Sequence, residues 1–144
     1  LMKDNIIQNL DHKNIKFLII HCSDTPDDKD LTAVDIHKMH IGFKWDGIGY
    51  HKIIQKNGYI DNGRPEYWVG AHTKGLNFKS LGVCLIGRTE FTKNQFDSLE
   101  KLLKHWILKY PNAKIKGHRN AIDTKKTCPN FDVEIWCKER GFNE

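Results

Sequence analysis

Phe17-Leu18-Ile19-Ile20-His21-Cys22-Ser23-Asp24-Thr25-Pro26 opens as an uninterrupted apolar run and stops abruptly in polar turn formers. A short apolar run closed by such residues fits a strand buried on both faces, as in a sheet covered by helices on either side. The polar cluster then falls at the strand's carboxyl end, where open α/β sheets place their sites.

Working outward, residues 1–15 are polar and weakly patterned and read as an extension ahead of this strand. Downstream, Thr32 and Asp35 make a capping box with its acidic partner shortened, flanked by Leu31 and Ile36 as a hydrophobic staple. A helix from about Thr32 to Ile41 is expected to bury Ile36, Met39 and Phe43. Tyr50 to Gln55 is strand-like. Asn57-Gly58 is a strong hairpin signal that returns the chain through Tyr59-Ile60. Ser80-Leu81-Gly82-Val83-Cys84-Leu85-Ile86-Gly87 is a second buried strand. Thr92 and Gln95 form a second capping box, stapled by Phe91 and Phe96. Phe96, Leu99, Leu103, Trp106 and Tyr110 then recur at helical spacing until Pro111. Lys114-Ile115-Lys116 alternates like a strand and delivers His118. Asp132 caps a last helix holding Val133 and Trp136, with Gly141 as its stop. Strands alternating with helices, plus one hairpin, predict a single α/β domain with a central mixed β-sheet and helices packed on both faces.

The 144 residues (16.8 kDa) suit one domain, and a chain of this length needs no disulfides to be stable. With 39% hydrophobic residues and only 4 Pro, the composition excludes collagen, low-complexity disorder and a disulfide-dense miniprotein. No apolar run is long enough to span a bilayer, so membrane insertion is not expected. Residues 1–5 show no signal-peptide pattern. The net charge of +5 suits an anionic polymer, nucleic acid or bacterial wall material alike. Basic residues are scattered, without an arginine-rich block, zinc-finger spacing or an RNA-binding aromatic signature, so a nucleic-acid partner rests on net charge alone. Cys22, Cys84, Cys128 and Cys137 contain no CxxC pair and read as a reduced interior.

Two strand ends each present a histidine, His21 and His118, and the loop after the second presents Cys128. Two imidazoles and a thiolate without a fourth protein ligand are what a catalytic zinc needs, the open tetrahedral position taking water. The same residues also fit strand-end histidines bonded to backbone and a buried cysteine. A covalent Cys128 nucleophile with His118 as base is a third reading. Cys22 follows His21 directly, so the two side chains point to opposite faces and cannot pair. His37 and His40 sit three apart on a helix without a third ligand and read as a surface pair. Trp45, Trp68, Trp106 and Trp136 read as core or groove-wall residues.

Six segments occur in order: Phe17–Thr25, Ile48-Gly49-Tyr50-His51, Val69-Gly70-Ala71-His72-Thr73-Lys74-Gly75-Leu76-Asn77, Ser80–Gly87, Gly117-His118 and Lys126–Asp132. Together they resemble the zinc-dependent N-acetylmuramoyl-L-alanine amidases of type 2, the superfamily of phage lysozyme-like amidases and animal peptidoglycan recognition proteins. The likeness runs from about Lys16 to Trp136. The phage-type branch is nearest, sharing the Cys ligand, the Gly-Tyr-His strand start and a Lys two residues before the Cys.

The resemblance implies an amidase domain over residues 16–144, with one Zn2+ held by His21, His118 and Cys128. It implies catalytic roles for Tyr50 and Lys126 and places His72 and Asn77 in the segment lining the substrate groove. His51 matches the motif but receives no direct role. The implied reaction is cleavage of the amide between N-acetylmuramic acid and the L-alanine of the stem peptide, by attack of a zinc-bound water. Tyr50, with an unperturbed pKa near ~10, is a poor base and suits orienting the water or bonding the oxyanion. Lys126 suits donation to the developing oxyanion. The implied partner is peptidoglycan or a muropeptide, with no nucleic acid, and a monomer is expected. Action on the bacterial wall after cytoplasmic synthesis is expected, through secretion or release by lysis. The alternative is a non-catalytic peptidoglycan-binding domain of the same fold. Recognition proteins that have lost activity usually lack the Cys ligand, which is present here.

Overall fold

In a computed structural model that describes residues 8–142, the apolar run at Phe17 forms β1 (Phe17–Cys22), with five of its six residues buried. It lies inside a five-stranded sheet of order β3-β2-β4-β1-β5, made with β2 (Lys52–Ile54), β3 (Ile60–Asn62), β4 (Ser80–Leu85) and β5 (Lys114–Gly117). β1 runs parallel to both neighbours, with Ile20 opposite Val83 on one side and Gly117 on the other. β2 is parallel to β4 and antiparallel to β3, so the sheet is mixed. The Asn57-Gly58 hairpin forms as expected, Gly58 adopting φ +91° in the turn. A burial of β1 and β4 this complete requires helices on both faces.

Those helices sort the side chains by strand alternation. Leu18, Ile20, Leu81, Val83 and Leu85 face the larger core, closed by Leu99, Leu103 and Trp106 of α2 (Lys93–Lys109) and by Val133 and Trp136 of α4 (Val133–Glu139). Ile53, Cys84 and Ile86 face the smaller core under α1 (Ala33–Gly42). His21 lies opposite Cys84 in register, which puts it on the α1 face. All three helix starts carry the expected caps, with complete capping boxes at Thr32/Asp35 and Thr92/Gln95 and a side-chain cap from Asp132.

Several expectations change. Phe43 is 57% exposed rather than buried, because α1 stops at Gly42 and position 43 leaves the helix's apolar stripe. Tyr50 lies two residues ahead of β2 rather than in the strand. His118 does not merely end β5 but begins a one-turn helix, α3 (His118–Ala121). Residues 8–15, read from sequence as an extension, lie against the domain. Leu10 and Ile15 join the larger core, and Leu10 N–H and Gln8 C=O bond to Tyr67 and Val69. Residues 1–7 lie outside the described residues.

Candidate metal centre

The sheet brings the candidate donors together at its carboxyl edge. Because Ile20 pairs with Gly117, the residues that follow, His21 and His118, sit side by side, with ring centroids 4.6 Å apart. Cys128 reaches the same point from the loop between α3 and α4, its carbonyl accepting from Arg119 N–H at 2.9 Å. One donor atom each from His21, His118 and Cys128 lies within 4.8 Å of the other two, close enough to share one ion.

The surroundings suit a cation. Backbone N–H of Cys22 donates to Cys128 Sγ at 3.0 Å, a contact that favours thiolate character at that sulfur. Burial holds His21 well below the ordinary imidazole pKa, with further repulsion from His72, His118 and Lys126. Burial and Lys126 lower His118 in the same sense. Both rings are therefore neutral and keep a lone pair for a metal. The Cys128 thiol is pushed up by its contact with the Cys22 thiol and by burial. A bound cation reverses that balance, since a coordinating thiol is deprotonated outright. Two neutral imidazoles and one thiolate would leave a divalent ion at net +1, a strong Lewis acid.

Tyr50 packs its ring 5.1 Å from that of His21. Burial raises its pKa well above the usual phenol value, reinforced by Cys84, Cys128 and Cys22, so the side chain is a protonated O–H donor. The backbone around it is clamped. Arg64 N–H donates to Tyr50 C=O at 2.9 Å, and Arg64 Nε donates to Ile48 C=O at 2.8 Å. His37 and His40 also turn onto this segment rather than forming a surface pair. His37 Nδ1 accepts from Ile48 N–H, and the His40 ring sits between Trp45 and Tyr50. Lys126 is exposed on the Cys128 loop, near enough to depress both candidate histidines.

His72 and Asn77 lie in the segment joined to His21 by hydrogen bonding. Asn77 Oδ1 accepts from the N–H groups of His72 and Thr73, folding residues 72–77 into a tight turn. His72 Nδ1 lies 2.9 Å from His21 Nε2, a contact that sequence reasoning missed. Its signal was confined to the Gly-Ala-His-Thr segment, because residues 21 and 72 meet only through the sheet. Cys22 is not paired with His21, as expected, but its backbone N–H reaches Cys128, which side-chain reasoning alone does not reveal. Of the four tryptophans, Trp106 and Trp136 are core, while Trp45 is 57% exposed beside His40.

The family profile for N-acetylmuramoyl-L-alanine amidase matches residues 11–131. The endolysin of Escherichia phage T7 is 35% identical over 127 residues, covering 83% of this chain and 83% of that protein. Among solved structures, the N-acetylmuramoyl-L-alanine amidase LysC from Clostridium intestinale URNW has a TM-score of 0.79 at 30% identity, covering 94% of this chain and 92% of its own. A mutant of Drosophila PGRP-LB in complex with tracheal cytotoxin gives a TM-score of 0.79 at 26% identity, covering 96% and 88%. With a family match over residues 11–131 and a 35% identical relative covered over 83% of its length, the chain belongs to the N-acetylmuramoyl-L-alanine amidase family.

Proposed function

We propose that this chain is a zinc-dependent peptidoglycan hydrolase cleaving the amide between N-acetylmuramic acid and the L-alanine of the stem peptide. The observation that carries it is the convergence of His21, His118 and Cys128 donors within 4.8 Å, beside Tyr50 and Lys126, in a chain of the amidase family. The catalytic unit is residues 16–144, with the preceding segment lying against it. The phage endolysin relative supports action on the bacterial wall, and the complex of PGRP-LB with tracheal cytotoxin, a monomeric diaminopimelic acid-type peptidoglycan, supports the substrate class. No helix among the described residues is long and apolar enough to cross a membrane.

His21, His118 and Cys128 would hold the zinc, which when bound would supply Lewis acidity for the amide carbonyl and lower the pKa of the attacking water. The chain's own side chains do the rest. Tyr50, held protonated, donates its O–H to the attacking water or to the carbonyl oxygen as charge builds there. Lys126 brings an ammonium to the same oxygen, and loss of one such donor typically costs ~3–4 kcal/mol of transition-state stabilisation. The leaving amine takes its proton from Lys126 or from solvent. Asn77 shapes the groove wall through the turn it closes.

Purified peptidoglycan digested with the protein, with and without chelator and with Cys128→Ala, tests the proposal by product mass spectrometry. New N-terminal L-alanine that disappears in both controls is the expected result. New reducing sugar ends would identify a glycosidase instead, and binding without cleavage would identify a recognition domain.

A further inference from the structure

His21 can serve a metal only through the ring nitrogen that is not already engaged, and its Nε2 is engaged. It lies 2.9 Å from His72 Nδ1 and 3.3 Å from Thr73 Oγ1. The direction of this contact can be read from its far end. Leu76 C=O accepts only, so the Ser80 hydroxyl 2.8 Å away donates to it. Ser80 Oγ then has its lone pairs free for His72 Nε2–H at 3.4 Å. A neutral His72 protonated at Nε2 presents a bare Nδ1 to both His21 Nε2 and the Thr73 hydroxyl, which lies 2.9 Å from it. That hydroxyl has a single proton and cannot relieve two facing bare nitrogens, so the proton between the two histidines belongs to His21 Nε2. That leaves His21 Nδ1 unprotonated and free to donate its lone pair.

The slot holding His72 is shaped for the ring. A Cβ on Gly82 would come within 2.6 Å of the His72 ring, and one on Gly70 would meet His72 Cδ2 at 2.6 Å. The rings of His21 and His51 close the remaining sides edge-on, at 5.0 and 5.8 Å between centroids. Backbone N–H of His72 is tied to Asn77 Oδ1. A side chain wedged between two glycines is not free to swing toward a substrate.

We infer that His72 is a positioning residue, which with Ser80 fixes His21 in the Nε2–H tautomer and turns Nδ1 toward the ion. This rests on the metal reading proposed above and reassigns His72 from groove contact to orienting partner. An outer partner of this kind commonly changes metal affinity by about 10- to 100-fold when removed.

Two measurements test it. Long-range proton–nitrogen NMR spectra of the metal-free wild-type protein should show His21 protonated at Nε2 and His72 protonated at Nε2. Competition of zinc against a chromophoric chelator should give affinity about 10- to 100-fold weaker for His72→Ala. His72→Asn, whose carboxamide oxygen can still accept from His21 Nε2–H, should recover most of the loss. Ser80→Ala should keep the fold and leave His72 a mixture of tautomers. A wild-type His21 protonated at Nδ1 would overturn the inference even if no variant folded. So would zinc affinity in folded His72→Ala equal to that of a zinc-binding wild type. Failure of the wild type itself to bind zinc would remove the metal reading and this inference together.

Discussion

His51 shows how far a single side chain can be specified by its surroundings. Gly82 N–H donates to its Nδ1 at 3.1 Å and its Nε2–H donates to Trp68 C=O at 2.8 Å, so the neutral ring has both nitrogens satisfied. Burial pushes its pKa down to about 4, against about 6.5 in an unfolded chain. Between these values the unfolded chain binds the proton and the folded one does not. The His51 contribution is therefore complete above about pH 6.5 and is lost as pH falls toward about 4, amounting to roughly 3 kcal/mol. Urea titrations at pH 7 and pH 4.5 should show that loss, and His51→Gln should show a shallower pH slope. On the proposed metal reading, Lys126→Ala should bind zinc as the wild type does and keep its melting temperature while turnover falls about 100- to 1000-fold, read from initial rates on peptidoglycan. Tyr50→Phe should also bind zinc normally and turn over slowly, because only the O–H is removed. A wild-type rate would assign Tyr50 to packing and, for exposed Lys126, would remove its catalytic role.

At the level of elements, α2 carries the clearest local signal and an unexpected long-range duty. Gln95 completes the capping box by accepting from Thr92 N–H, yet its Nε2 also donates to Ile54 C=O at 3.1 Å and Ile86 C=O at 2.8 Å, beyond the sheet pairing. Thr92→Ala should cost about 1 kcal/mol as a lost cap. Gln95→Ala should cost more, about 2–3 kcal/mol, because Ile86 C=O loses its donor while Ile54 C=O keeps only the N–H of Ile86. Chemical denaturation of the two variants side by side checks the order. The strands, the hairpin and the three long helices were legible because each is encoded by neighbours: an apolar run, Asn57-Gly58, a capping box. Phe43 was misjudged because the stripe that would bury it ends with α1 one residue earlier. The meeting of His21, His118 and Cys128 was not legible from spacing, since no local rule records that β1 pairs with β5. Only the ordered set of motifs carried it. The His21–His72 contact escaped even that, because it depends on two glycines leaving room for a ring.

For the whole molecule, the net charge of +5 comes from basic residues scattered along the sequence, so attraction to an anionic wall is expected to be a long-range effect that salt screens. Wall-lysing activity should fall as ionic strength rises past about 0.1 M, where the screening length is near 10 Å. Hydrolysis of a small uncharged muropeptide analogue should change little over the same range. Equal salt responses for both substrates would place the effect inside the site. The sheet order has a consequence for biosynthesis. The strand made first waits for partners translated much later, and two of the three converging donors lie in the last fifth of the chain. A polypeptide released by the ribosome before β5 lacks a finished sheet, and one released before residue 128 lacks the complete donor set. On the proposed metal reading, a chain that stops short of that cysteine is expected to have no lytic activity, so such premature products leave the wall of the cell making them intact.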